Sequence, residues 1–148
     1  MGNNHVEIVE LGEKHFIGVP ATVSFRHFNG DSLGKAKQVM LDQLGEISGI
    51  VNKEEYVCPF FASDVLFTYV YAVEVSEIGS IPDGMVGFSA AAQRYAKVRS
   101  EDQDPYGLIH AFLAEQGLEN NPKSLALEVF RFGETESKNH ADVYVPIK

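Results

Sequence analysis

Glu128 is the strongest candidate for chemistry in this chain, because its carboxylate stands in the middle of an otherwise apolar run, "SLALEVFRF" (124–132). The run predicts a β-strand, in which alternate side chains point to opposite faces, so Glu128 shares a face with Phe130 and Phe132. A carboxylate removed from water without a partner costs several kcal/mol, or its pKa rises until it is neutral. We therefore expect either an exposed sheet face or compensation by a cation, tyrosine hydroxyls, water or a ligand.

Aromatic residues on a second strand suggest what such a carboxylate could bind. Tyr69 and Tyr71 are two residues apart in "VLFTYVYAVEVSEI" (65–78), so their rings and hydroxyls share one face of the predicted strand. Together with Glu128 they would suit a flat lipophilic cation, through dispersion, cation–π attraction and charge. Ordinary packing is the alternative for strand tyrosines. Tyr144, in the last predicted strand, is a further candidate for the same wall.

Other kinds of site find little support in the sequence. The histidines lack the close spacing of a metal site, and no nucleophile elbow, phosphate loop or dinucleotide fingerprint occurs. We therefore expect no metal and no cofactor. Cys58 is the single cysteine, so no intramolecular disulfide can form, and its apolar surroundings predict a packed thiol. The histidines are His5, His15, His27, His110 and His140.

The elements that must position these residues repeat in order. A strand at 15–25 precedes a helix with Ser32 at its cap and Gly49 after it, and the strand at 65–78 follows. A strand at 93–101 then precedes a helix that begins at Asp104-Pro105 and ends at Gly117, followed by strands at 124–132 and 141–148. The pattern predicts an α+β fold, one domain over 1–148 with an internal duplication at approximately 1–80 and 81–148. Both helices should cover one face of a joint sheet and leave the other free to be concave.

Composition narrows the class of ligand. The chain has 148 residues, 45% of them hydrophobic, and a formal net charge of −9, which repels nucleic acid and attracts small cations. No apolar run is long enough to span a membrane, and the first residues lack the features of a secretory signal. We expect a cytoplasmic protein with no membrane and no direct nucleic-acid partner.

Several segments together resemble a known family. They are "IPDGM" (81–85) after the Tyr/Val strand, "RYAKV" (94–98), the apolar strand with Glu128, and the ending "DVYVPIK" (142–148). The chain resembles the GyrI-like small-molecule-binding domain, the effector-binding domain of AraC- and MerR-type bacterial transcription activators, over nearly its whole length. Because "VEIVEL" begins at residue 6, we expect a stand-alone form without a preceding helix-turn-helix segment.

The resemblance implies two pseudo-symmetric strand-helix-strand-strand halves forming a curved antiparallel sheet, with helices on one face and a ligand cleft on the other. It implies hydrophobic, often cationic ligands held by aromatics above a glutamate, which Glu128 matches by its place in the penultimate strand. Tyr69 and Tyr71 match the pocket aromatics, and Phe130 and Phe132 would add further walls.

Three functions stay open on this basis. The first is binding of lipophilic, especially cationic, small molecules for sensing or sequestration. The second, an enzyme, is hydrolysis of strained cyclopropane-bearing genotoxic natural products, with Glu128 as general base and a tyrosine as proton donor. The third is inhibition of DNA gyrase through a protein interface. The sequence does not separate binding from hydrolysis, because both use a glutamate with the same neighbours.

Overall fold

The computed structural model describes residues 5–99, 103–134 and 141–148. They form eight β-strands and two α-helices, which confirms the α+β class. The elements in chain order are β1 (Glu7–Leu11), β2 (Lys14–Ser24), α1 (Gly30–Asp42), β3 (Glu55–Ala62), β4 (Leu66–Val75), β5 (Val86–Ala90), β6 (Gln93–Arg99), α2 (Pro105–Gln116), β7 (Ala126–Arg131) and β8 (Asp142–Pro146).

All eight strands join one antiparallel sheet in the order β1-β6-β8-β7-β3-β4-β2-β5. When each strand of the first half is exchanged with its counterpart in the second, the same order results, read from the other end of the sheet. The two halves are therefore related by a pseudo-twofold axis between β3 and β7. The first strand of each half pairs with the other half, since β1 lies against β6 and β5 against β2. The expected pseudo-symmetric, curved antiparallel sheet is confirmed.

A short connection forces the sheet to curl. β1 is the first strand in the sheet and β2 the seventh, yet only Gly12 and Glu13 separate them. Six strand spacings would cover roughly 29 Å in a flat sheet, whereas three Cα steps reach at most about 11 Å. The two ends of the sheet must therefore approach each other, which gives the sheet a concave inner face.

The helix ends show which local signals were correct. Asp104 caps α2 by accepting a hydrogen bond from the Tyr106 N–H (3.1 Å), Pro105 is the first helical residue, and Gly117 ends the helix with φ 66°, all as expected. At α1 the cap is Asn29 rather than Ser32, because the Asn29 side chain accepts from the Asp31 N–H at 2.9 Å. A separate 3₁₀ turn at 44–46 replaces the last expected turn of α1.

Both helices pack on the outer face of the curled sheet, α1 on β2 and β4 and α2 on β6 and β8. The central strands β3 and β7 lie between the two helices, so a cleft runs between α1 and α2. The core under the helices includes the fully buried Met40 and Ile109. A second apolar cluster, with the buried Phe16 and Leu127, fills the concave inner face. No helix among the described residues is long and apolar enough to cross a membrane.

Candidate functional site

Glu128 lies near the centre of the sheet, on the face that carries the helices. In β7 it is opposite Cys58 of β3 and Val143 of β8, and both of these belong to the core under the helices. The glutamate pocket was expected on the face without helices, and this placement is wrong. Because the helices cover only the two outer parts of the sheet, the cleft between them reaches Glu128 on their own face.

Two tyrosine hydroxyls hold the carboxylate. The Tyr69 hydroxyl donates a hydrogen bond to Glu128 Oε1, and the Tyr106 hydroxyl donates one to Oε2. Tyr69 comes from β4, in the first half of the chain, and Tyr106 from the first turn of α2, in the second half. Both carboxylate oxygens therefore have a donor, one of the compensations considered for a glutamate in an apolar strand.

Both phenols are held in their protonated form. Burial raises the pKa of Tyr69 far above its ordinary value, and the neighbouring Cys58 and Glu128 raise it further. Burial also raises the pKa of Tyr106, and the charge of Glu128 adds to the shift. At neutral pH the two hydroxyls are donors rather than bases, so they orient the carboxylate and add no charge of their own.

Cys58 belongs to the same cluster. Its side chain is fully buried, lies across the ladder from Glu128 and is hydrogen-bonded to Tyr69. The next residue is Pro59, which has no backbone N–H, and the pairing of β3 with β4 is interrupted between Val57 and Phe60. A proline in a central strand thus leaves the ladder open beside the carboxylate.

Aromatic rings form the wall of the cleft. A cavity of about 760 Å³, including its open mouth, is lined by residues from α1, β4 and β7 and by the segment between β2 and α1. The Phe67 and Tyr69 rings stack with centroids 5.6 Å apart, and the Tyr71 ring meets Tyr69 edge-on at 5.2 Å. Glu128 is the charged residue among the lining residues, which are Phe25, Phe28, Leu33, Phe67, Tyr69, Tyr71 and Glu128.

The mouth of this cavity is unusually apolar. Phe25 and Phe28, which lie between β2 and α1, are 51% and 58% exposed. The centroids of the Phe25 and Phe67 rings are 6.1 Å apart. Two exposed phenylalanine rings above one half-buried carboxylate form an entrance for an apolar molecule that carries charge.

The structure brings together only some of the predicted site residues. Tyr69 and Tyr71 line the cleft with Glu128. Phe130 shares their face but is buried and stacks on Tyr56 at 5.3 Å, below the cleft. Phe132 lines a different cavity, next to the 3₁₀ turn. Tyr144 lies on the inner face, opposite Leu127, and so cannot belong to the same wall as Glu128.

The sequence reasoning missed Tyr106, which was assigned only to the buried stripe of α2. It also missed Phe25, Phe28 and Phe67, because nothing in a single sequence shows which ends of strands meet the start of a helix. No three His, Cys, Asp or Glu side chains in the described parts of the chain are placed to hold a metal ion. His140 lies outside those parts.

Comparisons with known proteins support the fold. No family model matches the chain. The transcriptional regulator BrlR of Pseudomonas aeruginosa is 30% identical over 156 aligned positions, which cover 98% of this chain and 56% of BrlR. The chain therefore spans little more than half the length of this curated relative.

Solved structures with 9–14% sequence identity share the fold. The EcmrR C-terminal domain superposes with a TM-score of 0.68 over 97% of each chain, at 9% identity. SAV2435, in a structure bound to tetraphenylphosphonium, gives a TM-score of 0.62 over 97% of this chain and 94% of its own, at 14% identity. An integron cassette protein of Vibrio cholerae gives 0.61 over 97% and 95%, at 11% identity. These similarities, together with the pseudo-twofold sheet, confirm that the chain resembles the GyrI-like effector-binding domain.

Proposed function

We propose that this chain binds lipophilic small molecules, cationic ones in particular, in the cleft between α1 and α2. The observation that carries the proposal is the single carboxylate, Glu128, at the base of an aromatic cavity whose mouth is formed by exposed phenylalanines. Aromatic faces attract cations, and a desolvated carboxylate strengthens that attraction. The SAV2435 structure with tetraphenylphosphonium supports the proposal, because that ligand is a lipophilic cation on a similar fold.

The hydrogen bonds of Glu128 favour one kind of cation. Both oxygens already accept a tyrosine hydroxyl, so few acceptor positions remain for the N–H groups of a primary amine. A quaternary or delocalised cation has no hydrogen-bond donors and needs only the negative potential. The cleft should therefore prefer such cations over ammonium groups of similar size.

A titration with tetraphenylphosphonium tests the proposal, with the anion tetraphenylborate as a control of nearly the same shape. We expect the phosphonium to bind and the borate to bind much more weakly, in isothermal titration calorimetry at constant ionic strength. Glu128→Gln should weaken phosphonium binding by about 1–3 kcal/mol, roughly 5- to 150-fold, because it removes the charge and keeps the shape.

Glu119→Gln provides the matched control, because Glu119 is exposed and its carboxylate pairs with Lys148 at 3.3 Å. This variant loses the same formal charge at a distant surface, so it should bind like the parent. Equal affinity for the borate and the phosphonium, or equal affinity in the Glu128→Gln variant, would contradict the assignment of Glu128 as the counter-charge.

Hydrolysis is the second candidate, and the pairing of a carboxylate with two protonated hydroxyls is the observation that favours it. In this reaction Glu128 takes a proton from water, the water oxygen attacks a ring carbon, and a carbon–carbon bond of the strained ring breaks. A tyrosine then gives its proton to the opened group. Incubation with a cyclopropane-bearing electrophile, followed by mass spectrometry, tests it. Product formation no faster than in the Glu128→Gln variant would contradict hydrolysis and leave binding as the proposed function.

Gyrase inhibition stays a prediction, to be checked in a supercoiling assay.

A further inference from the structure

The concave inner face of the sheet holds a second cavity, separate from the cleft. Its volume is about 480 Å³ including the mouth, and side chains from β1, β2, β3, β4, β7 and β8 line it. Phe16, Val57, Leu127 and Val129 form an apolar floor. The cavity is open on one side and can admit only a small molecule, because it is too small for a macromolecule.

Charged and polar groups surround this floor, and all but one have a partner. Lys14 Nζ lies 3.2 Å from Glu74 Oε2, and Asp142 Oδ1 lies 3.7 Å from an Arg99 nitrogen. Lys97 Nζ lies 5.5 Å from the centre of the Tyr144 ring. These contacts leave Glu55 as the remaining charged group in the lining of the inner cavity.

Glu55 differs from its neighbours. Among the described residues, no hydrogen-bond donor reaches its carboxylate, and no Lys, Arg or His nitrogen comes within the 4.0 Å of an ion pair. The charges that act on it are Arg131 and Lys14, which attract it, and Asp142 and Glu74, which repel it. Burial raises the pKa of this carboxyl, as expected for an acid that a cavity partly removes from water.

We propose that the inner cavity is a second ligand site, which takes a small primary amine or guanidine with a short apolar body. Glu55 supplies the counter-charge, and the ring or alkyl part of the ligand lies on Phe16, Val57 and Leu127. The chemistry is opposite to that of the cleft. The oxygens of Glu55 have no described donor and can accept N–H groups, whereas those of Glu128 already accept two hydroxyls.

A titration followed by methyl NMR tests this proposal, with phenethylamine as the probe. 2-Phenylethanol replaces the ammonium by a neutral group, and 3-phenylpropanoate replaces it by an anion. We expect phenethylamine to shift the methyl signals of Val57, Leu127 and Val129, on the inner face, and to leave those of Leu33, in the cleft, unchanged. The alcohol and the anion should produce little shift at the same concentration.

Two variants separate the sites. Glu55→Gln should weaken phenethylamine binding by at least about fivefold, because a charged acceptor becomes neutral. Glu128→Gln should weaken it less than Glu55→Gln does. Shifts confined to Leu33, no shift at any methyl group, equal binding of the alcohol, or equal affinity of the Glu55→Gln variant would each overturn the proposal.

Discussion

Replacing Tyr106 by Phe removes one hydroxyl from the cleft and keeps the ring. The hydroxyl donates to Glu128 Oε2, while the ring contacts Phe60 edge-on at 6.1 Å, a contact that Phe can preserve. A hydrogen bond to a carboxylate contributes about 1.5–3 kcal/mol. We therefore expect Tyr106→Phe to lower the free energy of unfolding by that amount. In a chain of this length the Tm should fall by roughly 3–12 °C.

A double-mutant cycle shows whether the loss comes from this hydrogen bond. The parent, Tyr106→Phe, Glu128→Gln and the double variant are unfolded in urea and followed by far-UV circular dichroism. If the hydroxyl donates to the carboxylate, the effect of Tyr106→Phe becomes smaller in the Gln background, with a coupling energy of about 0.5–3 kcal/mol. Tyr144→Phe is the control, because Tyr144 lies on the inner face and should show no coupling with Glu128.

Additivity would refute the reasoning. If the effects of the two single variants sum to that of the double variant within about 0.5 kcal/mol, Tyr106 and Glu128 do not interact. The hydrogen bond between α2 and the centre of the sheet would then be absent. The conclusion that both halves of the chain position the carboxylate would be wrong.

Three further predictions concern titration and packing. Because burial raises the pKa of Tyr69 and Tyr106, the folded state loses stability as the pH rises past about 10. In the Tyr69→Phe variant the free energy of unfolding should fall less steeply with pH in this alkaline range. The pKa of Glu55 is also raised in the folded state, so the folded state loses stability as the pH rises through about 4.3. Glu55→Gln should therefore be more stable than the parent at neutral pH and as stable as the parent well below that pKa. Gly18→Ala should lower the free energy of unfolding by about 1–3 kcal/mol, because the new methyl carbon would lie 2.3 Å from a backbone oxygen of β4. Gly34→Ala should raise the free energy of unfolding by about 0.5–1 kcal/mol, because a methyl group at this position in α1 meets open space.

The sequence predicted the elements whose signals are local. The capped start of α2 at Asp104-Pro105 and its end at Gly117 depend only on neighbouring residues, and the structure confirms them. The strand with Glu128 was correct for the same reason, since its alternation is visible within nine residues. The strand at 93–101 was correct over β6, and its last two predicted residues lie outside the described parts of the chain.

The elements that the sequence did not reveal depend on distant partners. β3 contains Pro59, which argues against a central strand, and it is stable there because β7 pairs along its other side. β1 and β5 have only five residues each, and each becomes a strand by pairing with the other half. The wrong face for the Glu128 pocket has a similar origin, because helix periodicity does not show how much of a sheet two helices cover.

The site itself depends on contacts that no local pattern encodes. Tyr69 and Tyr106 lie 59 and 22 residues from Glu128 along the chain. Their meeting requires the strand order β7-β3-β4 together with the placement of α2, and only the alternation of Tyr69 and Tyr71 was visible in advance. Sequence reasoning could therefore find the carboxylate and one wall, and it could not find the second hydroxyl.

The pseudo-twofold axis explains why the cleft needs both halves although it is not symmetric. The axis passes between β3 and β7, next to Cys58 and Glu128, so the centre of the cleft is the place where the two halves meet. The first half supplies the aromatic wall and the Tyr69 hydroxyl, while the second supplies the carboxylate and, from α2, the Tyr106 hydroxyl. Two copies of either half could repeat the sheet but would duplicate only one of these parts. An apolar wall facing a single oriented charge therefore requires that the two halves differ in sequence while they keep the same order of strands.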